Sequence, residues 1–545
     1  MDSGVIPVVA GSAKRRTTAA FLVVGGLCVL LSACAKPAQP DAVAAFPEAS
    51  AQLLFADGYR HVHERYIDLL PVERIAQASF DGLTSLDSGL QIRRTSDQVQ
   101  LFIEGREARH FPVPAGSDAE GWARVTAGVL EASWAHSAKL RGVAPERIYD
   151  SMFGSLLTQL DGYSRYTDAD SADQARASRE GFGGIGIVVE EEQGRPRVVR
   201  VLPDTPASRA GILAGDEITH VDGYALQGMS HHDAVEFLRG PLDSEVRIRV
   251  ARRDPQVSFD LVLQRAHIVP QTVTWKKEGN IATFRLSSFN RHTTSDLMSM
   301  VKEARQEMGR NLRGIVLDLR GNPGGLLDQA IGVADLFLTD GVIVSTRGRH
   351  PASNSAFTAS RDDIARGIPM AILINGRSAS AAEMVAASLQ DWGRAVVIGS
   401  TTHGKGSVQN VARMPNGGEL IITWSRMHAP SGYVLDRLGV LPGVCTSEAA
   451  ENRGPDGKVI GEHSNTPRYA VQSDFIAWHA YDHSDDALAR TLRLVCPAET
   501  DESAADQTLA ESLLLDQAAY RRALRPWAGL TMAHNVGESR AEVPR

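Results

Sequence analysis

The chain has 545 residues, of which 43% are apolar and 22% are charged, so it can form about three globular domains with ordinary cores. Its formal net charge is −8, and the sequence contains no long basic run. Domains that bind nucleic acid are usually basic, so we expect no nucleic-acid partner.

The first 34 residues have the pattern of an export signal. Three basic residues, 14–16, precede an apolar segment, 19–31, and small residues follow it. The apolar segment is too short for a typical membrane span, whereas this order of basic, apolar and small residues is typical of a signal peptide. We therefore expect residues 1–34 to direct export, with an uncleaved signal anchor as the alternative.

The end of this segment resembles a bacterial lipobox. Residues 31–34 have the sequence LSAC, which implies that Cys34 becomes the lipidated first residue of the mature protein. Residues 35–50 are rich in Ala and Pro and are predicted to form a tether. We expect the protein on the periplasmic side of a bacterial cell envelope, held at a membrane by this lipid, and Ala35 favours the outer membrane.

Two of the four cysteines, Cys445 and Cys496, lie outside the signal. In an exported protein such a pair can form a disulfide, but the sequence leaves open whether these two do. Neither cysteine has the spacing of a metal ligand, so we predict no metal site.

Residues 51–176 are predicted to be a mainly helical region. Apolar residues recur there at helical spacing. The predicted helices cover residues 52–70, 72–86, 118–140 and 144–160. A hairpin is expected at 90–102, and a loop at 104–118 because that segment contains Pro and Gly.

Residues 181–186 have the sequence GFGGIG, which satisfies the spacing of a dinucleotide-binding G-x-G-x-x-G. That fingerprint must follow a strand and open a helix. Here a charged, helix-like segment precedes the glycines and a strand-like segment follows them. We therefore reject nucleotide binding at this position.

Residues 177–266 instead resemble a PDZ domain of the bacterial protease type. The resemblance rests on DTPASRAGI at 204–212, AGDEI at 214–218 and VDG at 221–223. It implies capture of a peptide as an added strand, with its C-terminal carboxylate on a glycine loop. That loop would consist of Gly183, Gly184, Ile185 and Gly186. A PDZ fold with an empty groove is the alternative.

Residues 267–447 alternate between strand and helix patterns, which predicts an α/β layer fold. Buried-type strands are expected at 314–319 and 369–374, and a helix at 293–308. Residues 321–325 (GNPGG) lie where the first strand gives way to a helix. Backbone amides at such a junction can bind an anion, although a simple glycine-rich turn is the alternative.

Ser380 and Lys405 are the candidate catalytic residues of this region. Ser380 follows the second strand among small residues, where a substrate backbone can approach it. A serine needs a base, and burial can lower the pKa of a lysine from about 10.4 toward 7–8. His403 is the alternative base and Ser378 the alternative nucleophile. A P-loop at 399–405 is rejected because glycine follows the lysine.

The sequence from about residue 150 to about residue 450 resembles the C-terminal processing peptidases, also called tail-specific proteases. The motifs that carry the resemblance are RGNPGG at 320–325, SASAAE at 378–383 and GKGSVQ at 404–409. The resemblance implies a Ser380–Lys405 dyad supported by Gln409. It implies oxyanion donors at the amide of Ala381 and in the turn Gly324-Gly325.

The sequence departs from the family pattern at three places. The usual LDPHS is LDGYS at 160–164, a common serine is Ala382, and a common phenylalanine is His403. None of these changes removes the predicted dyad.

The implied fold is a crotonase- or ClpP-like α/β core with an inserted, mostly β PDZ domain and an N-terminal helical region. The implied function is that of an exported serine endopeptidase that cleaves proteins near the C-terminus without a cofactor or metal. A catalytically silent PDZ scaffold and a small-ester hydrolase are the alternatives. Protein or peptide substrates are the expected partners, and an adaptor or an oligomer is compatible with the resemblance. Residues 448–545 are predicted to form a helical extension that docks on the core or mediates assembly.

Overall fold

The computed structural model describes residues 46–447, 467–481 and 485–524. The predicted signal peptide, with Cys34, and the tether up to residue 45 lie outside the described residues. Within the described ranges, no helix combines the length and the apolar character that crossing a membrane requires.

The N-terminal region contains six helices and four strands in its described part. They are α1 (Glu48–Arg65), α2 (Val72–Leu86), β1 (Leu90–Arg94), β2 (Gln98–Ile103), β3 (Arg106–Pro112), α3 (Ala119–His136), α4 (Ala138–Arg141), α5 (Pro145–Leu157), β4 (Arg165–Thr167) and α6 (Ala169–Glu180). The core of this region includes Trp122 and Phe153 and extends to Leu420 and Ile422 of the α/β region described below. The helical region is therefore packed directly on the rest of the chain.

The loop predicted at 104–118 is wrong in its first half, which forms the strand β3. Most side chains of β3 are exposed, so the segment lacks the apolar alternation that identifies a strand. It forms by pairing with β2, and Phe111 packs against Gly128 of α3. These are tertiary contacts that a local sequence pattern cannot show.

The PDZ-like domain begins at Phe182, because α6 continues across the boundary predicted at 176. Its elements are β5 (Phe182–Gly184), β6 (Ile187–Glu192), β7 (Arg195–Val201), α7 (Pro206–Arg209), β8 (Glu217–Val221), β9 (Tyr224–Ala225), α8 (His231–Leu238), β10 (Glu245–Arg253), β11 (Gln256–Gln264) and β12 (Ala266–Ile268). A six-stranded sheet has the order β11-β10-β8-β7-β6, with β9 beside β8. It encloses an apolar core of its own that includes Ile218 and Ile248.

The next region alternates strands and helices as the sequence predicts. Its elements are β13 (Val273–Glu278), β14 (Ile281–Leu286), α9 (Thr293–Met308), β15 (Gly314–Asp318), α10 (Leu327–Asp335), β16 (Val342–Arg347), β17 (Ser355–Thr358), β18 (Met370–Ile374), α11 (Ala381–Asp391), β19 (Ala395–Gly399), β20 (Ser407–Arg413), β21 (Glu419–His428) and β22 (Val444–Cys445). The C-terminal extension contains β23 (Arg468–Tyr469), α12 (Gln472–His479), α13 (Asp486–Arg493), α14 (Ala504–Leu515) and α15 (Gln517–Leu524).

A seven-stranded sheet of order β13-β14-β15-β18-β19-β22-β23 is the centre of this part of the molecule. The strands from β14 to β22 are parallel, and every residue of β15 and β18 is buried. Ile315 and Leu317 face a core shared with α9, α10 and α11, whereas Val316 packs with Leu513 and Leu514 of α14. The C-terminal extension thus covers the second face of the sheet.

A second sheet has the order β17-β16-β21-β20, with β4 beside β21, and its residues Val344 and Met427 share an apolar core with the first sheet. Its strand β17 lies in a polar segment of the sequence, residues 348–366, which has no apolar run. Like β3, this strand has mostly exposed side chains and forms by antiparallel pairing, here with β16.

Cys445 and Cys496 form a disulfide between the end of β22 and the segment that follows α13. The bond joins residues 51 positions apart, and both sulfur-bearing residues are buried. It therefore fastens the extension to the parallel sheet.

We expect loss of this disulfide to destabilise the fold. In the chain-entropy model, closing a loop of this length contributes about 4 kcal/mol to the free energy of unfolding. Urea unfolding monitored by circular dichroism should show a lower midpoint after reduction of the wild type, and a similarly low midpoint in the double variant Cys445→Ala, Cys496→Ala. The double variant is also the control for the reductant, since dithiothreitol should not change its midpoint. Equal midpoints for the oxidised wild type and the double variant would contradict the prediction.

Candidate active site

Three parallel strands, β15, β18 and β19, end at the same edge of the central sheet, and their loops meet there. One cleft of about 680 Å³ brings together all six residues that the sequence predicts for the catalytic site. They are Ser380, Lys405, Gln409, Ala381, Gly324 and Gly325. Residues as far apart in the sequence as Gly324 and Gln409 thus come to one place because the sheet aligns the strand ends.

Ser380 lies directly before α11 and has a strained backbone. Its φ is 54° and its ψ is −114°, a region that residues with a side chain rarely occupy. The backbone is held by one strong contact, since the Ser380 amide donates to Glu383 Oε2 at 2.6 Å. This conformation leaves the side chain partly exposed at the cleft.

Glu383 is completely buried and joins the serine turn to the lysine loop. Besides the Ser380 amide, its carboxylate accepts from the amides of Gly404 and Lys405 at 2.6 and 2.9 Å and from Thr402 Oγ1 at 2.5 Å. Burial raises the pKa of Glu383, and these hydrogen bonds oppose the rise. Sequence reasoning did not assign this role to Glu383, although a Glu three residues after a helix-starting Ser is the signal of a capping box.

The backbone amides of Gly325 and Ala381, both at the cleft, have no acceptor in the part of the chain that the structure describes. The amide of Gly324 is different, because it donates to Asn322 Oδ1 at 2.8 Å. A Cβ on Gly324 would lie 3.0 Å from the Ala381 nitrogen, so the two turns are in contact. Open amides beside a serine can stabilise an oxyanion, and the geometry favours Gly325 over Gly324 as the second donor.

Lys405 lies in the same cleft as Ser380. Burial, followed by repulsion from Arg165, lowers the pKa of Lys405. Its Nζ is 5.4 Å from the centre of the Tyr163 ring, so the tyrosine that departs from the family motif is a neighbour of the lysine. Within the described residues the ammonium has no ion-pair partner, which is the environment that a neutral lysine base requires.

Gln409 lies on β20, four residues after Lys405. Its Nε2 donates to Ser407 Oγ at 3.1 Å and to Thr423 Oγ1 at 3.0 Å. Its Oε1 is buried and has no partner in the described part of the chain. An acceptor is thus held available at the wall of the cleft that contains the lysine.

Ser378 and His403 are placed differently from Ser380 and Lys405. Ser378 is completely buried, and its hydroxyl donates to Leu319 O at 2.8 Å and accepts from the Asn375 amide at 3.0 Å. His403 is exposed and does not line the catalytic cleft. The geometry therefore favours the first choice of nucleophile and of base over the alternatives.

A second cavity, of about 740 Å³, adjoins the cleft, and Arg176 and Arg413 line both. Its far wall contains residues 181–183 and part of α8, so it lies beside the predicted peptide-binding loop. In that loop Gly183 and Gly184 pair with β12, whereas the amides of Ile185 and Gly186 have no acceptor in the described chain.

The C-terminal extension contacts the lysine loop directly, which the sequence did not predict. Arg493 donates to Leu438 O at 2.6 Å and to Thr402 O at 2.7 Å. Thr401 Oγ1 donates to the carbonyl of Cys496 at 2.5 Å. The extension therefore holds the backbone immediately before Lys405.

Comparison with known proteins gives matches to the α/β region and to the PDZ-like domain. The model of peptidase family S41 matches residues 280–445, and the PDZ domain model matches residues 197–252. The chain is 39% identical over 305 residues to the carboxy-terminal-processing protease of Bartonella bacilliformis, a match that covers 56% of this chain and 70% of that relative.

A probable CtpA-like serine protease of Staphylococcus aureus is 32% identical over 292 residues, which are 52% of this chain and 57% of the relative. The chain thus spans less than two thirds of that protein. Among solved structures, the photosystem II D1 C-terminal processing protease matches with 24% identity and a TM-score of 0.37, over 72% of this chain and 92% of that chain.

The lowered pKa of Lys405 predicts that the charged lysine destabilises the folded protein. At a pH below the folded-state pKa of Lys405, the folded protein contains a lysine ammonium that burial disfavours. As the pH rises through that value, the folded state loses the proton before the unfolded chain does, so stability increases. Lys405→Met keeps most of the side-chain volume without the charge, and should raise the free energy of unfolding near neutral pH.

The measurement is urea unfolding of the wild type and Lys405→Met at several pH values. The advantage of the variant should shrink as the pH approaches the ordinary pKa of lysine, about 10.4. A variant that is less stable at neutral pH, or a difference that does not change with pH, would show that burial does not disfavour the charged lysine.

Proposed function

The chain belongs to peptidase family S41, so it is a serine-type peptidase of the carboxy-terminal-processing kind, and we propose that Ser380 and Lys405 form its catalytic dyad. The observation that carries this proposal is their common cleft, which also contains the open amides of Gly325 and Ala381. A nucleophile, a base of lowered pKa and an anion site thus lie together.

In the proposed reaction, neutral Lys405 takes the proton of Ser380 as Oγ attacks the scissile carbonyl. The amides of Gly325 and Ala381 stabilise the oxyanion, and loss of one such donor typically costs about 3–4 kcal/mol of transition-state stabilisation. Lys405 then gives the proton to the leaving amine, and an acyl group remains on Ser380. Water attacks the acyl-enzyme with the help of the same base and releases the new C-terminus.

Gln409 and Tyr163 are proposed to position the lysine. The unpaired Oε1 of Gln409 can accept from the ammonium that forms when Lys405 has taken the serine proton. The Tyr163 ring restricts the lysine side chain and stabilises the same transient charge. Both contacts favour the protonated intermediate without supplying a permanent carboxylate partner.

The PDZ domain is proposed to capture the C-terminus of the substrate. The amides of Ile185 and Gly186 are available for a carboxylate, and the cavity beside this loop is continuous with the walls of the catalytic cleft at Arg176 and Arg413. A captured polypeptide can therefore extend from the PDZ loop toward Ser380, which explains cleavage near the C-terminus.

We also propose that the α/β region is a crotonase-like core, since parallel strands carry the oxyanion turn and the nucleophile on adjacent strand ends. An exported, lipid-anchored location on the periplasmic side of the envelope is supported by the signal-like residues 1–34. The Cys445–Cys496 disulfide also supports it, because such bonds persist in oxidising compartments. The outer membrane, an adaptor and an oligomer stay predictions. No observation favours a silent scaffold or an ester hydrolase.

Substitutions at the dyad test the assignment. Ser380→Ala and Lys405→Ala should each lower kcat for a quenched fluorogenic peptide by about 10⁴-fold or more, because nucleophile and base act as one unit. Casein degradation should be lost in parallel, and circular dichroism should show that both variants remain folded. His403→Ala is the matched control from the same loop and should retain activity. An active Lys405→Ala together with an inactive His403→Ala would identify the histidine as the base.

Arg493 provides a test of the contribution of the extension. Arg493→Met should lower kcat by roughly 10- to 100-fold and leave KM nearly unchanged, because a small displacement of the Lys405 loop misplaces the base. Arg490→Met, on the exposed side of the same helix, is the control. Arg493→Lys should restore part of kcat, since it can still bond one of the two carbonyl groups. A rise in KM without a fall in kcat would contradict this positioning role.

A further inference from the structure

Three arginines surround a single carboxylate at the wall of the catalytic cleft. Arg165 is on β4, Arg176 and Arg179 are on α6, and Glu419 is on the neighbouring strand β21. Glu419 is buried, and its Oε1 accepts from Arg176 and from Arg179, each at 3.0 Å. Its Oε2 accepts from Arg179 at 3.0 Å. Two of the three guanidinium groups are therefore paired with this carboxylate.

Arg165 is the third guanidinium and has no carboxylate partner in the described part of the chain. Its one hydrogen bond is to the Tyr163 carbonyl, at 3.5 Å, which is long for such a contact. The side chain is exposed and lines the cleft together with Ser380 and Lys405. Desolvation, followed by repulsion from Arg179, lowers the pKa of Arg165, and attraction by Glu419 opposes this change without a direct contact between the two side chains.

The cleft as a whole is electropositive, although the protein is acidic. Five basic side chains and two carboxylates line it, whereas the whole chain has a formal net charge of −8. A cleft that concentrates charge of one sign attracts ligands of the other sign. The unpaired Arg165 is the member of this set that acts directly on Lys405, because it helps to lower the lysine pKa.

We propose that Arg165 is a carboxylate-binding subsite of the catalytic cleft, separate from the PDZ loop, and that it selects substrates with a carboxylate close to the scissile bond. A guanidinium can bind a carboxylate through two parallel hydrogen bonds, which fixes the position of the ligand as well as its charge. The carboxylate comes either from an Asp or Glu side chain or from the C-terminus of a short tail. This inference rests on the proposed peptidase activity of the Ser380–Lys405 site.

The test uses quenched fluorogenic peptides on the full-length enzyme. One series places Glu, or its neutral isostere Gln, at each of three positions on either side of a single scissile bond. A second series compares a free C-terminal carboxylate with a C-terminal amide at increasing distance from that bond. The quantity measured is the ratio of kcat/KM for the charged peptide to that for its neutral partner. Because both rates are measured on the same enzyme variant, the ratio cancels any general effect that a substitution at Arg165 has on the reactivity of Lys405.

At one position the wild type should favour the carboxylate about tenfold, as expected for hydrogen bonds between charged groups. Arg165→Gln should bring that ratio close to one, and Arg165→Glu should favour Lys at the same position. The series in which the preference appears identifies the side chain or the C-terminus as its source. Arg310→Gln, which removes an exposed positive charge outside the cleft, is the control and should leave the ratio unchanged.

Three results would contradict the proposed subsite. The first is equal rates for charged and neutral peptides at every position in the wild type, and the second is an unchanged preference for the carboxylate in Arg165→Gln. The third is loss of that preference in Arg413→Gln but not in Arg165→Gln. In each case, cleavage of the neutral peptides shows that the peptidase proposal still holds. If no peptide of either series is cleaved by the wild type, the proposed function itself fails, and the subsite with it.

Discussion

The buried carboxylate of Glu383 is the interaction on which the catalytic geometry depends. It accepts hydrogen bonds from Ser380 at the start of α11 and from three residues, 402, 404 and 405, of the loop after β19. Each loop alone is flexible in principle, and neither contains a regular element at the reactive residue. Because one carboxylate binds both, the serine turn and the lysine loop have a fixed relative position. A buried carboxylate is costly unless it is hydrogen-bonded, and here the four donors offset part of that cost.

The C-terminal extension also helps to hold the lysine loop in position. Helices α14 and α15 cover the second face of the parallel sheet, and Arg493 and Cys496 contact residues 402 and 401, which precede Lys405. The matched family region ends at residue 445, so these contacts come from a part of the chain beyond it. The disulfide attaches that part to the end of β22. Stability of the sheet and placement of the base are therefore linked through one segment.

Much of the fold and of the site could be predicted from the sequence. The apolar runs at 314–319 and 369–374 identify buried parallel strands, and α9 has the bounds that its apolar periodicity predicts. The strands β3 and β17 could not be predicted, because their side chains are mostly exposed and pairing alone forms them. For the site, motif positions identify the residue types. They cannot show that the Gly324 amide is already bonded to Asn322, or that Arg165 lacks the partner that its neighbours have.

The central claim is that Ser380 forms a covalent acyl intermediate with the help of Lys405. The most direct measurement is rapid acid quench of the enzyme during turnover of an activated peptidyl ester, followed by tryptic mapping with mass spectrometry. Trypsin should release residues 378–394 as one peptide, and fragmentation distinguishes Ser378 from Ser380 within it. The account predicts one acyl group on Ser380 in the wild type and none in Lys405→Met. An acyl group on another residue, or turnover with no acyl-enzyme detected in the wild type, would contradict it.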